Sequence, residues 1–408
     1  MHADSCHLPF AICHRSVATL AIVALVSFAA CTQPPPPSPN YREYAYVTNG
    51  KSDSVSVIDL RTFRVAATLT VGRGPTGVAS SPTKNEIYVA NTDSNNVSVI
   101  DAEKNAVVAT IGVHRAPGFV DVSRDGRRAY VANSGSANVS VIDLDQRKVM
   151  ATIGVGGQPW LARVSPDGKT LAVSNTAGDS VSLIDTDKLA VRATVPVCKE
   201  PRDIAIALLG EVEKAFVACT GSNQVAAVDL KQAKLLALLD VGKRPEHLTL
   251  KPDGGELFVS NRESNNVSII ETTTNEVGST FMVGNGPADV VITGDNTTAY
   301  VAGAGSGSVS VYAIDAGRLI CATRTALPNS RSMCELPTGR DPEALALSPN
   351  QNFLLVVDRQ DGAVSVIRTA PLPGGSKISA DRAVVTIIPI GLEPRQIAVK
   401  AFVANPKK

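Results

Sequence analysis

The sequence is poor in aromatic side chains, which make up 4% of its 408 residues, and it holds a single tryptophan, Trp160. A core of packed rings is therefore excluded, and small and β-branched side chains must fill the interior, as they do between closely stacked strands. Net charge is almost absent: 39 basic residues stand against 38 acidic ones, a formal +1. That balance argues against a nucleic-acid binder, which needs a marked basic excess. Histidine is scarce. Of the five present, His2, His7 and His14 sit at the amino end, leaving only His114 and His247, far apart. Little remains for acid–base or nucleophilic catalysis, and no Ser-His-Asp pattern, Gly-x-Ser-x-Gly elbow or phosphate loop stands out. No Cys-x-x-Cys-His attaches a c-type haem, and no paired Cys-x-x-Cys makes a zinc site. The apolar run from Val17 to Phe28 is too short to span a bilayer, which takes about 20 residues of helix.

What the chain has in quantity is one repeated unit of about 42 residues. Tyr46-Val47-Thr48-Asn49, Tyr88-Val89-Ala90-Asn91 and Tyr130-Val131-Ala132-Asn133 are each followed by Val-Ser-Val-Ile-Asp. Each unit offers four short strands, separated by a Pro-Asp-Gly turn, an Asn end, an Asp end and a Gly-x-x-Pro turn. The strands are more continuously apolar than simple alternation predicts, as strands buried on both faces should be. This pattern resembles the YVTN family of β-propeller repeats, the type of YncE-like and cytochrome d1-like propellers, over roughly residues 44 to 405. The WD40 signature is missing.

Counting turn prolines gives the blade number. They are Pro75, Pro117, Pro159, Pro201, Pro245, Pro287, Pro342 and Pro394, eight in all. The expected fold is all-β: an eight-bladed propeller of four-stranded antiparallel blades. Its last blade combines one C-terminal strand with three N-terminal strands, which leaves few exposed edges. Seven blades with one unit as an appendage is the alternative. Two late insertions, roughly Ala322 to Gly339 and Thr369 to Asp381, are expected in loops.

The amino end reads as an address. Arg15 precedes the apolar run, which suits a signal sequence, and Phe28-Ala29-Ala30-Cys31 resembles the lipobox of bacterial lipoproteins, with Phe28 in place of the usual Leu. Residues 1–31 are expected to be a signal peptide with Cys31 the lipidated residue; an ordinary cleaved signal peptide is the other reading. Residues 32–43 form a proline-rich linker, and 44–408 the propeller. The expectation is a monomer held by a lipid anchor on the periplasmic side or surface of the bacterial cell envelope.

Candidate functional residues lie where the repeat fails. Cys198 replaces the Gly of a Gly-x-x-Pro turn and Cys219 replaces the strand-end Asn of the same blade; the two should lie close enough for a disulfide. Cys321 and Cys334 bracket part of an insertion and form a second candidate pair. A metal site of Cys198, Cys219 and His247 is a weaker alternative. The two residues after each turn proline should ring one mouth of the channel. Trp160 belongs to an apolar arc, while Arg202, Asp203, Glu246, His247, Asp289, Glu343 and Arg395 carry the charges, an arrangement suited to a ligand. Asp203, Glu246, Asp289 and Glu343 could alternatively ring Ca²⁺, as the metal sits centrally in propeller lactonases, although no motif here matches their ligands. Asp59, Asp101, Asp143, Asp185 and Asp229 read as turn caps.

Three functions follow. The leading one is a non-enzymatic binding or scaffolding protein for an envelope protein or a small molecule, without a cofactor. The second is a protein that binds or matures a tetrapyrrole, as similar eight-bladed propellers do with haem d1; His247, Arg202 and Arg395 would serve it. The third is a hydrolase of the propeller lactonase type.

Overall fold

Turn chemistry punctuates this chain before packing does. The residue ahead of each turn proline adopts a left-handed backbone even where it carries a side chain, with φ of 54° at Ala116 and Arg244 and 48° at Glu393. Its amide is held by the loop that closes the blade before: the Ala116 N–H donates to Asn95 and that of Arg244 to Asn223. Proline then fixes the first backbone angle of the new strand.

The computed structural model describes residues 38–319, 335–369 and 384–404. The chain comprises two units, Met1–Pro39 and Asn40–Lys408. Only Ser38 and Pro39 of the first unit are described, so Cys31, the signal sequence and most of the linker lie outside the described residues, as do Cys321 and Cys334.

Among its described residues the second unit contains eight antiparallel sheets, seven of them four-stranded. Blades 1 to 7 begin at the seven prolines from Pro75 to Pro342, as the proline count predicts. In blade 8 the strand Pro394–Val403 pairs with Tyr41–Asn49, which continues into Ser54–Asp59 and Arg64–Thr70. The pairing runs from Asn49↔Pro394 to Tyr41↔Val403. Both described ends of the chain therefore leave at the end of the blade opposite the turn prolines. The ring is closed and eight-bladed, not seven.

The second and third strands of the blades are buried on both faces, and the core is split among the blade interfaces. Tyr130, Val139 and Val141 of blade 2 pack against Leu171, Val173 and Ile184 of blade 3. The closing blade is held the same way, Ile58 against Leu355 on one side and Tyr46 against Ile87 on the other. Each fully buried Val, Ile or Leu contributes about 1.5–3 kcal/mol, so cohesion between blades rather than within them dominates. The fourth strands form the outer edge. In blade 6 that strand comes in two pieces, Arg318–Leu319 and Glu335–Pro337, both paired with Ser308–Ala313. The insertion thus interrupts a strand, and it ends before Glu335 rather than reaching Gly339.

The strand-end Asn is a structural fastener. Asn49 donates from Nδ2 to Ser54 and Ser56, and Asn175 to Ser180 and Ser182. The Gly of the preceding turn lies flat over it: a Cβ on Gly391 or Gly72 would stand 2.7 Å from that of Asn49 or Asn91. At these two positions a side chain would collide with the Asn. The repeated aspartates cap turns as expected, Asp101 accepting from the amides of Glu103 and Lys104 and Asp143 from those of Asp145 and Gln146.

Blade 7 carries Asp358 at the Asn position, fully buried, accepting from Ser365 Oγ at 2.6 Å. Burial pushes its carboxyl up to about 6. A carboxyl whose folded pKa lies above its unfolded value contributes its full stability below the unfolded pKa. That contribution is lost as pH rises through the folded one. Asp358→Asn is therefore expected to stabilise the protein at pH 7, by on the order of 2 kcal/mol, and to do little at pH 4. Urea unfolding at the two pH values checks this; an equal effect at both would show that the carboxyl does not titrate as described.

Candidate functional site

The first strands of all eight blades converge on one channel mouth, which opens into a cavity of about 560 Å³. The structure brings every mouth residue singled out in the sequence to its lining: Trp160, Arg202, Asp203, Glu246, His247, Asp289, Glu343 and Arg395. The apolar arc comes from blades 2 and 3. Phe119 and Trp160 lie with ring centroids 5.8 Å apart, and the Arg202 guanidinium sits 4.9 Å above the indole.

Asp203 and Asp289 are placed by a rule of the fold. Each stands two residues after its turn proline and accepts an amide from the next blade. Asp203 Oδ2 takes Leu248 N–H at 2.9 Å, and Asp289 Oδ2 takes Leu345 N–H at 2.8 Å. Gln396 does the same for Val78. The other oxygen of each aspartate caps its own strand, at Ile204 and Val290. His247 lies between them, Nδ1 3.1 Å from Asp203 and Nε2 2.9 Å from Asp289. Burial in the channel wall opposes charge on the ring. The carboxylates of Asp289 and Asp203 outweigh it and hold the imidazolium pKa well above its ordinary value. Burial likewise opposes charge on Asp203, yet His247 and Arg163 keep its carboxyl below the usual range.

The remaining carboxylates are engaged by arginine. Glu246 bonds Arg244 at 2.7 Å and Arg262 at 3.2 Å. Glu343 lies 3.9 Å from Arg262 and 3.8 Å from Arg359, and burial raises its carboxyl more than these two cations lower it. The acidic residues thus do not form a bare ring for Ca²⁺: each is interleaved with a cation. Among the described residues no group of three or more His, Cys, Asp or Glu side chains is arranged to hold a metal ion.

The metal site of Cys198, Cys219 and His247 is overturned. Cys198 and Cys219 are joined as a disulfide with a Cα separation of 5.6 Å, and His247 is taken up by its two aspartates. The bond follows from the fastener geometry, since Gly and Asn occupy these two facing positions in blades 1, 3, 5 and 8.

Sequence reasoning missed Arg163 and Arg244 in the lining, and with them Arg262 and Arg359. The last two directly follow the strand-end residue of their blades, Asn261 and Asp358, so the repeat frame that located the prolines would have found this second ring. With Arg163, Arg202, Arg244 and Arg395, six arginines line the cavity. Adding His247 gives seven cationic side chains against the four carboxylates of Asp203, Glu246, Asp289 and Glu343, a local surplus of three in a chain whose net charge is +1. Two of these cations have unused capacity: Nε of Arg202 and Nε of Arg395 are buried without an acceptor.

Residues 152–375 match the family described as the YNCE-like beta-propeller, and residues 83–207 match the Cytochrome D1 heme domain. No curated protein matches the chain. Among solved structures, the dihydro-heme d1 dehydrogenase NirN in complex with DHE is similar at 13% identity and a TM-score of 0.71, over 90% of this chain and 77% of NirN. Hydrazine synthase from Kuenenia stuttgartiensis is 22% identical with a TM-score of 0.57, over 73% of this chain and 96% of that one. A functionally unknown protein from Desulfotomaculum acetoxidans DSM 771 is 17% identical with a TM-score of 0.56, over 87% and 98%.

Proposed function

The chain belongs to the YncE-like β-propeller family, and on that premise we propose that it binds a tetrapyrrole of the haem d1 class at the channel mouth, as a carrier or processing protein. The observation that carries this reading is the pairing of an aromatic arc with a cationic arc across one cavity of about 560 Å³. Cavities of about 300–1,000 Å³ enclose ligands of this size. A flat macrocycle edged with carboxylates presents what the two arcs ask for. Its apolar face suits Trp160 and Phe119, and its carboxylates suit the guanidinium groups of the arginines that line the cavity, Arg202 and Arg395 among them. The match to the Cytochrome D1 heme domain and the likeness to NirN support the same ligand class.

The residues fit the carboxylates and the ring face of such a group. They do not offer a free axial ligand to a central metal, because both nitrogens of His247 are engaged. When bound, the tetrapyrrole itself would supply the redox chemistry. The protein would orient the macrocycle, screen its charge and keep one face from water. The binding role expected from the sequence is thereby narrowed to an acidic, planar ligand. An extracytoplasmic setting belongs to the same proposal and is supported by the Cys198–Cys219 disulfide, a bond typical of oxidising compartments.

Trp160 is the sole tryptophan and lines the site, so its emission should report occupancy directly. Titration with a porphyrin dicarboxylate is expected to quench it with a micromolar or lower Kd. Arg202→Ala and Arg395→Ala should each weaken binding by about ten- to a hundredfold, since a hydrogen bond to a charged group contributes about 1.5–3 kcal/mol. Equal binding of the dimethyl ester would sink this reading.

A further inference from the structure

Accepting that the mouth takes a tetrapyrrole, on which this inference rests, we propose that it recognises the macrocycle without regard to its central metal, with His247 serving as a fixed positive charge and not as an axial ligand. The argument starts from the hydrogen-bond inventory of imidazole. A ring that donates from both nitrogens has no lone pair to give a metal. Nδ1 and Nε2 of His247 each face a carboxylate oxygen, at 3.1 and 2.9 Å. A histidine that ligates a metal ordinarily uses one nitrogen for the metal and only the other for a carboxylate or carbonyl partner. Here the second carboxylate occupies the place where the metal would stand.

The carboxylates cannot readily give way. Asp203 and Asp289 come from the blades on either side of His247, and each also accepts amides from its own strand and from the following blade. Moving either one would disturb the contacts that align its own blade with the next. The imidazole is therefore fixed by the scaffold itself, at the centre of the charged arc, and the ring remains 38% exposed. Neighbouring groups reinforce the same role. Arg163 stands beyond Asp203 and pairs with Asp121 at 3.2 Å, while Arg262 and Arg359 flank Glu343. The wall reads as an ordered alternation of charges in which His247 counts as a cation.

The test uses the full chain and three probes: metal-free protoporphyrin IX, its zinc form and its iron(III) form. Trp160 quenching gives the Kd of each, and the absorption spectrum of the iron form reports whether an imidazole is bound to the metal. The expected result is three dissociation constants within about threefold of one another, and an iron spectrum that lacks histidine ligation and is unchanged in His247→Gln. Tighter binding of the iron form by tenfold or more, with a histidine-ligated spectrum that His247→Gln abolishes, would overturn this inference while leaving the ligand class intact. Failure of all three probes to bind would overturn the ligand class and this inference with it. The wild-type spectrum decides the matter even if His247→Gln does not fold.

Discussion

A chain that ends at Glu393 is expected to lose cooperative folding. The truncation removes Pro394–Val403, the innermost strand of blade 8. That strand carries Ile397 and Val399 into the interface with blade 7 and Phe402 into the interface with blade 1. It also bonds blade 1 directly, through Gln396 to Val78 N–H and Lys400 to the Ser81 carbonyl. Phe402 is buried and Ile397 and Val399 are half-buried; at about 1.5–3 kcal/mol for a fully buried side chain, the three together contribute roughly 3–6 kcal/mol, a large share of the stability of a typical domain, about 5–15 kcal/mol. Beyond that loss, Tyr41–Asn49 would expose an unpaired edge toward the channel. Thermal melts followed by circular dichroism, with limited proteolysis in parallel, should show a broad transition and rapid cleavage. A truncated chain that melts sharply within a few degrees of the full chain would refute the idea that the ring must close.

Removing the Cys198–Cys219 disulfide is expected to cost about 3 kcal/mol, the chain-entropy figure for a loop of this size. The double variant Cys198→Ala/Cys219→Ala should unfold at lower urea than the wild type, and dithiothreitol should lower the wild-type midpoint to match. Restoring the repeat residues alone should not rescue the loss. Asn in five other blades donates to one Ser and to a second Ser or an Asn on the third strand, but in this blade those positions hold Gln224 and Ala226. Cys198→Gly/Cys219→Asn would bury an amide lacking these partners, a penalty of about 1–3 kcal/mol. Adding Ala226→Ser should recover much of it. If the wild-type midpoint ignores dithiothreitol, the bond contributes nothing to stability. The departure from the repeat is thus a linked set of four residues, each change making sense only with the others.

These cases show what could be read from the chain and why. Fold and blade number were legible because the prolines and the strand-end Asn act locally and recur at a fixed spacing. The ring of mouth residues followed from the same frame, including Arg202 and Arg395. The clamp on His247 was not legible. Asp203 and Asp289 lie one repeat away on either side, and only the curvature of the ring turns that separation into contact. In the repeat frame Asp203 and Asp289 are site charges, yet each is also an inter-blade fastener. Arg262 and Arg359 stand after the strand-end residue of their blades, outside the positions that follow a turn proline. The split outer strand of blade 6 was missed because Glu335–Pro337 is three residues long and carries no repeat signature.

The seam in blade 8 also has a mechanical side. Tyr41 and Val403 sit opposite each other at the same end of an antiparallel pair, and the Ala404 N–H closes the pair on the Asn40 carbonyl. Hydrogen bonds in such a pair run across the strands. Tension applied between the two ends of the propeller meets those bonds singly, in sequence, as a zipper is drawn. Tension applied through one end against the body of the ring loads them together. The seam that closes the ring is thus also a line along which it can be peeled.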